Sequence, residues 1–205
     1  MCGQFEGVAA YTKFITMLHL NRHEALAEDG PLKVAPSVSA PVIVQNSEDG
    51  SLGVMPMRFG LVPFWYRGSL AEWKASTFNA RLEDAASKPV FKGAWAYRHC
   101  VVPAEAFYEW SGPKGDRTKW RITRGDNQPL AFAGLWDEAP TQQGDLFSFA
   151  ILTRPAGRDM QAIHAREPVI LPSDDWEAWL RRRRVDLDRP APLKLVNPDG
   201  VPGLF

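Results

Sequence analysis

The fold class is decided by two apolar-rich segments with a short polar turn between them, Thr118-Lys119-Trp120-Arg121-Ile122-Thr123-Arg124-Gly125-Asp126-Asn127-Gln128-Pro129-Leu130-Ala131-Phe132-Ala133-Gly134-Leu135-Trp136. Polar and apolar residues alternate through 118–124, a pattern typical of a strand with one buried face. The segment 130–136 is apolar almost throughout and predicts a buried strand. The residues Gly125, Asp126 and Asn127 predict a hairpin turn that joins the two strands.

Further strands are predicted on both sides of this stretch, so that 108–153 is expected to form a β-meander. The predicted strands outside it are 41–45, 52–59, 99–103, 106–110, 146–153 and 168–171, the first two joined by a turn at 46–50. Helices are predicted at 11–28, about 81–87 and 173–182, the last with Ser173 as its N-cap. The segment 88–96 has no regular pattern and is expected to be irregular. The fold class is therefore α+β.

The composition is that of a soluble globular chain, with 45% hydrophobic and 23% charged residues. A length of 205 residues predicts a single domain over 1–205. The 24 lysines and arginines balance the 24 aspartates and glutamates, so the formal net charge is zero. This balance argues against a broad, sequence-indifferent coating of nucleic acid, although a focused basic groove remains compatible with it.

The chain contains two cysteines, Cys2 and Cys100, too few for a disulfide framework or a four-thiolate metal site. His19 and His23 lie four residues apart on the first predicted helix, but no third ligand accompanies them. We therefore expect no metal and no cofactor. The chain has neither a signal-peptide pattern nor a run of the ~18 apolar residues that a membrane span needs. We expect a cytoplasmic protein without a membrane partner.

Cys2 is an unusual position for a thiol. If Met1 is removed, the α-amine and the thiol of Cys2 form a 1,2-aminothiol. Their reference pKa values, about 7.7–8.0 and about 8.5, leave both groups partly nucleophilic near neutral pH. Such a pair can bind an aldehyde twice, first as an imine and then by attack of the thiol, which closes a five-membered thiazolidine. The alternative is a frayed terminus with an exposed thiol of no chemical use.

Two further polar residues have both a structural and a chemical interpretation. Asn79 could be the N-cap of the short helix predicted after it, or its amide could bind a ligand. Glu109 lies among large apolar neighbours, and strand alternation places it on the same face as Phe107. If that face is buried, desolvation would make the carboxylate a usable base near neutral pH. If the face is exposed, Glu109 is an ordinary solvated residue.

An aromatic trio, Phe64, Trp65 and Tyr66, follows Pro63, which argues against a central strand at this position. These rings could cover the core or form a stacking platform for nucleic-acid bases.

Short motifs distributed over about 170 residues resemble a known family when taken together. They are Met1-Cys2-Gly3, Val34-Ala35-Pro36, Gly60-Leu61-Val62-Pro63-x-Trp65, Asn79-Ala80-Arg81-x-Glu83, Val102-Pro103-Ala104, Phe107-Tyr108-Glu109-Trp110, Ile151-Leu152-Thr153 and Ile163-His164-x-Arg166-x-Pro168-Val169-Ile170-Leu171. In content and order they resemble the SOS-response-associated peptidase (SRAP) family, which covalently shields abasic sites in single-stranded DNA. The resemblance implies twisted, mostly antiparallel sheets that form a barrel-like core with peripheral helices.

The resemblance also implies a role for each of four residues. Cys2 would be the nucleophile toward the ring-opened aldehyde of the abasic site. Asn79 would hold the nucleophile and the sugar oxygen by hydrogen bonds, and Glu109 would remove or position the proton of the Cys2 amine. His164 would act as a general acid on the sugar ring oxygen. The peptidase name refers to a proposed self-processing that exposes Cys2.

The resemblance implies single-stranded DNA with abasic sites as the partner of a monomeric protein. The matched DNA contacts are Gly3, Pro36, Trp65, Arg81, Trp110, Thr153 and Arg166. Three departures from the family pattern bear on DNA affinity, and the loss of a cation at Gln4 predicts weaker binding. Gln4 replaces a usual arginine, Ala165 replaces an acidic residue, and Glu167 stands where methionine or arginine is common. Beside a DNA groove, Glu167 would repel phosphate.

Two other functions remain open. One is an N-terminal-cysteine-nucleophile peptidase or amidohydrolase, in which Asn79 would help to form an oxyanion hole. The other is a non-catalytic module that binds single-stranded DNA through its aromatic residues. The first of these needs a freed Cys2, as abasic-site crosslinking does, whereas the second does not.

Overall fold

The structure, a computed structural model, describes residues 2–7, 12–20 and 33–197. Its strands are β1 (Gln4–Gly7), β2 (Lys33–Val34), β3 (Ser39–Gln45), β4 (Leu52–Phe59), β5 (Asn79–Arg81), β6 (His99–Ser111), β7 (Thr118–Arg124), β8 (Leu130–Thr141), β9 (Gly144–Pro155), β10 (Arg166–Pro168) and β11 (Leu193–Val196). Its α-helices are α1 (Thr12–Leu18), α2 (Pro89–Tyr97) and α3 (Trp176–Leu180), and a 3₁₀ turn at Ser173–Asp175 precedes α3. Within the described ranges, none of the helices has the length and apolar character to cross a membrane.

The eleven strands of the described residues belong to one sheet. Five of them close a hydrogen-bonded ring in the order β9, β4, β3, β6, β8 and back to β9. Strands β4 and β5 run parallel to β9, and the other pairs are antiparallel. The predicted α+β class and mostly antiparallel sheet are confirmed.

Strand β6 organises this sheet, because its two halves have different partners. The first half pairs with β3 and β8, and the second half pairs with β1 and β7. The segments predicted separately at 99–103 and 106–110 are therefore one continuous strand. Strands β7 and β8 each pair with β6 and not with each other, so the predicted hairpin at 125–127 is wrong. The other edge of β7 is occupied by β11 instead.

The helices of the structure differ from the predicted ones in position and extent. Helix α1 ends at Leu18, and His19 has a positive φ of 51°, while 21–28 lie outside the described residues. The helix predicted at about 81–87 is a series of turns after β5. The segment expected to be irregular contains α2, which begins at Pro89, a residue whose fixed φ suits the first helical turn. Ser173 makes no side-chain capping bond at the start of the 3₁₀ turn.

The core next to the N-terminus is aromatic, and it holds β1 in place. Phe5 is 1% exposed, and its ring packs edge-on against Phe59 at 5.5 Å and Phe132 at 6.0 Å between centroids. Burial of such a side chain stabilises the fold by roughly 1.5–3 kcal/mol. Strand β1 is also hydrogen-bonded on both edges, to β2 and β6. The alternative of a frayed N-terminus with an exposed Cys2 is therefore wrong.

Candidate active site

Cys2 lies immediately before β1, and its residue is 1% exposed. The carbonyl oxygen of Cys2 accepts a hydrogen bond from Nδ2 of Asn79 at 3.3 Å. Burial raises the pKa of the Cys2 thiol well above its usual value, and the negative charge of Glu109 raises it further. In this form of the chain the thiol is therefore protonated at neutral pH.

Asn79 begins β5, where it pairs with Ile151 of β9, and its side chain is buried. It is a strand residue, so its interpretation as a helix N-cap is wrong. Among the residues that the structure describes, its Oδ1 has no hydrogen-bond partner. An unsatisfied buried acceptor costs about 1–3 kcal/mol, so such groups in native proteins call for an explanation. Binding of a ligand donor would supply one.

Glu109 lies in the second half of β6, opposite Trp120 of β7, and is 3% exposed. It shares the inward face with Phe107, as the alternation predicted, and that face is buried. The alternative of a solvent-facing Glu109 is wrong. The structure thus brings together three of the four predicted catalytic residues. Cys2 is hydrogen-bonded to Asn79, and the negative charge of Glu109 acts on the Cys2 thiol.

His164 follows the turns at 158–163 and is half-buried. Its Nδ1 faces the backbone of Arg166, 3.0 Å from the amide nitrogen and 3.1 Å from the carbonyl oxygen. Strand β10, which follows His164, pairs with β9 at Thr153, the residue that also pairs with Arg81 of β5. Through β9, the His164 segment is attached to the strand that carries Asn79.

Of the seven predicted DNA contacts, five besides Arg166 are at least partly exposed to solvent. These are Gly3, Pro36, Trp65, Arg81 and Trp110. Thr153 is instead fully buried, and its hydroxyl accepts bonds from the guanidinium of Arg166 at 3.3 Å. The structure therefore places Thr153 beneath Arg166, as a support for that side chain.

Arg166 makes a bidentate ion pair with Glu83, with N–O distances of 2.6 and 2.8 Å. Hydrogen bonding from Arg166 lowers the pKa of Glu83 to about 2. The Arg166 guanidinium therefore points to the β5 edge, close to the exposed Arg81. A phosphate that binds Arg166 would compete with Glu83.

The aromatic loop after β4 faces outward. Phe64 and Trp65 are 48% and 46% exposed, so the core-cover interpretation is wrong for these two rings. Trp65 packs edge-on against Trp73 at 6.3 Å, and the loop is anchored by Asp137, whose Oδ2 accepts from the Phe64 amide at 2.9 Å. Neither Trp73 nor Asp137 was singled out by the sequence, because their partners lie on distant segments.

Glu167 does not face a groove, and the expected repulsion of phosphate is wrong. It is 5% exposed and paired with the equally buried Arg154, which donates to Oε1 at 2.7 and 2.9 Å. The backbone amide of Gly157 donates to its other oxygen at 2.9 Å. The charge of Glu167 is therefore neutralised inside the protein. The other two departures, Gln4 and Ala165, are exposed.

No three histidine, cysteine or acidic side chains of the described ranges cluster as a metal site. His19 of the predicted pair is described and His23 is not.

Comparison with known proteins agrees with the motifs. The model of the SOS response associated peptidase (SRAP) family matches residues 1–199. The chain belongs to this family. Two relatives from Bacillus subtilis, the abasic site processing proteins YoqW and YoaM, are 31% and 32% identical over 192 residues, which is 92% of this chain and 84% and 82% of theirs. A crystal structure of a Bordetella bronchiseptica protein is similar with a TM-score of 0.77 and 27% identity, covering 96% of this chain and 99% of that chain.

Proposed function

We propose that this SRAP protein processes abasic sites in single-stranded DNA by trapping their open-chain aldehyde on Cys2 after Met1 is removed. The observation that carries the proposal is the position of Cys2. Its carbonyl oxygen accepts a hydrogen bond from Asn79, and its thiol lies close enough to Glu109 to be affected by the carboxylate charge. Membership of the family and the names of the relatives support the same substrate.

The reaction consumes the aldehyde and releases one water. The Cys2 amine, freed of its proton by Glu109, attacks the aldehyde carbon to give a carbinolamine, which loses water to give an imine. The thiol then adds across the C=N bond: sulfur bonds to carbon and the thiol proton goes to nitrogen. The product is a thiazolidine. Burial keeps the thiol protonated and the thiolate is the nucleophilic form, so sulfur must pass its proton to the nitrogen as it bonds to carbon.

His164 serves the step before capture. An abasic sugar is mostly a closed hemiacetal, and opening it requires a proton on the ring oxygen as the C–O bond breaks. Nε2 of His164 carries the donated proton in this proposal, since Nδ1 faces the backbone of Arg166. A general acid contributes typically 10²–10⁴-fold to such a step.

The DNA strand would run over the exposed aromatic and basic residues around Cys2. Trp65 and Trp110 offer ring faces for stacking, while Arg81 and Arg166 offer charges to phosphate. The backbone at Gly3 and Pro36 would line the path, and Thr153 would hold Arg166 in place.

The test is incubation of the processed protein with a single-stranded oligonucleotide that contains one abasic site, followed by denaturing electrophoresis. Intact-mass measurement first establishes that Met1 is absent. We expect a band shift that survives denaturation with the wild type and not with Cys2→Ala. Cys2→Ser is the matched control, because it keeps the amine but replaces the thiol, and we expect only an imine that is lost unless borohydride reduces it. No covalent band with processed wild type would contradict the proposal.

The peptidase activity in the family name fits the same residues, as removal of Met1 by the protein itself. The Glu109 carboxylate beside the Cys2 thiol is the group that would assist this cleavage. Synthesis in a cell-free system without methionine aminopeptidase tests it. Loss of Met1 in the wild type but not in Glu109→Gln is expected, and equal retention of Met1 in both would contradict self-processing.

A further inference from the structure

The junction of β1, β6 and β7 has a buried face and an outward face. Register places Gln4, Tyr108 and Arg121 side by side on the outward face. The next pair on this face is Trp110 with Lys119. Since side chains alternate along a strand, Glu109 points to the opposite, buried face. The catalytic carboxylate and this outward row are therefore two sides of one strand.

Lys119 is the distinctive member of the row. Its Nζ lies 4.0 Å from the ring centroid of Tyr108 and 5.5 Å from that of Trp110. Both contacts hold the ammonium over ring faces. Among the described residues, no carboxylate oxygen lies within ion-pair distance of it. The charge of Lys119 is thus positioned but not neutralised.

The neighbouring cation is already engaged. Arg121 donates to both oxygens of Glu6, with the shortest distance 2.6 Å, and the hydroxyl of Tyr108 donates to the same carboxylate. The Arg121 hydrogen bond is the main cause of the lowered pKa of Glu6. This network fixes the Tyr108 ring and leaves Lys119 as the cation of the row that is open to an anion.

The row also lies close to the reactive terminus. Gln4, which is opposite Tyr108, is two residues after Cys2, a separation of about 7 Å along an extended chain. Gln4 itself brings no charge to this face. A strand of DNA with its sugar at Cys2 would therefore pass a neutral residue first and Lys119 next.

We propose that Lys119, with Tyr108 and Trp110 beneath its ammonium, is a phosphodiester-binding subsite for the DNA backbone next to the trapped nucleotide. This proposal rests on the proposed function, since it assigns the path of that substrate. The ligand is a backbone phosphate. Lys119 pairs with it, and the indole of Trp110 remains available to the adjacent base.

The test measures binding separately from chemistry. Fluorescence anisotropy would follow a labelled single-stranded oligonucleotide with one abasic site, in the Cys2→Ala background, at several salt concentrations. We expect Lys119→Ala to weaken binding about 3- to 10-fold, and to lower the salt slope by about 0.7, the value for one phosphate contact on a single strand. Lys119→Arg should restore most of the affinity.

Arg183→Ala is the matched control, because it removes the same charge from an exposed residue just after α3. That helix packs on the opposite end of β6, where Trp179 donates to the carbonyl of Cys100. The proposed subsite would be contradicted by an unchanged salt slope with Lys119→Ala. Equal losses of DNA affinity with Lys119→Ala and Arg183→Ala would contradict it as well.

A second measurement separates this proposal from the proposed function. Processed protein with native Cys2 would react with glycolaldehyde, an aldehyde without phosphate, and thiazolidine formation would be followed by mass. Lys119→Ala should match wild type here but crosslink more slowly to DNA below saturation. If wild type forms no thiazolidine with either aldehyde, the proposed function fails, while the salt slope still decides whether Lys119 binds phosphate.

Discussion

Asn79 donates a hydrogen bond to the carbonyl oxygen of Cys2 at 3.3 Å, although 77 residues separate them in the chain. A hydrogen bond of this kind contributes about 0.5–1.5 kcal/mol to stability. We predict that Asn79→Ala lowers the free energy of unfolding by about 1 kcal/mol and slows crosslinking about 10-fold, because the terminus loses its fixed position. Chemical denaturation and crosslinking time courses measure the two effects. Crosslinking at the wild-type rate would show that Asn79 has only a structural role.

Glu109 raises the pKa of the Cys2 thiol, so Glu109→Gln should lower that pKa, while burial continues to hold it above the usual value. Alkylation of Cys2 by iodoacetamide, followed by mass at each pH, measures the change. The pH at which alkylation reaches half of its maximal rate should be lower in the variant than in the wild type. Crosslinking should nevertheless become slower, because the base for the amine is lost. A variant that crosslinks faster would contradict the assigned base.

Glu83 has its pKa lowered to about 2 by Arg166, so the ion pair stabilises the folded chain above the ordinary glutamate pKa and is lost as pH falls toward 2. The Glu83 side chain is 48% exposed, so the contribution at pH 7 is below about 1 kcal/mol. We predict that Glu83→Gln lowers the free energy of unfolding, measured by urea denaturation, by this amount at pH 7 and by less at pH 3.

The same substitution tests the competition between Glu83 and phosphate. With Arg166 released, Glu83→Gln should bind single-stranded DNA a few-fold more tightly in the Cys2→Ala background, because an acidic competitor is lost. Glu177→Gln, which breaks the exposed ion pair with Arg181 on α3, is the control and should bind as wild type. Weaker binding by Glu83→Gln would show that Arg166 needs its partner to bind DNA.

The Arg154–Glu167 pair should be important for stability, because both side chains are buried. Removal of one partner from a buried pair costs about 3–5 kcal/mol, and we expect Glu167→Ala to fall in this range. The double variant Arg154→Met with Glu167→Met should recover much of the loss, because no unpaired charge remains. Thermal unfolding measures both. A Glu167→Ala variant as stable as wild type would show that the buried ion pair does not stabilise the fold as predicted.

Trp65 should contribute stacking energy to DNA binding, since 46% of its surface is exposed on the aromatic loop. Stacking on one aromatic ring contributes about 1–3 kcal/mol, so Trp65→Ala should weaken single-strand binding by about 5- to 150-fold. Tyr97→Ala is the control: Tyr97 is 73% exposed, but it is the last residue of α2, just before the start of β6, and Glu109 lies in the second half of that strand. Equal effects of the two substitutions would remove Trp65 from the binding surface.

The sequence by itself determined features that depend on neighbouring residues. Alternation predicted β7 with its bounds, and it placed Glu109 on one face with Phe107. The turn at 46–50 correctly joined β3 to β4. Short motifs also identified the family. These features are local, because the period of a strand and the chemistry of a turn are set within a few residues.

Only the tertiary structure decided which segments meet. Asn79 forms a strand because β9 offers an edge to it, which no local pattern encodes. The long β6 accepts both β7 and β8, and so the turn at 125–127 joins strands that do not pair. The negative charge of Glu167 is neutralised because Arg154 is buried beside it and forms an ion pair with it. Burial of Cys2 likewise follows from contacts with Asn79 and the aromatic core. Each of these outcomes depends on partners far apart in the chain, whose free energy of pairing and desolvation outweighs local propensity.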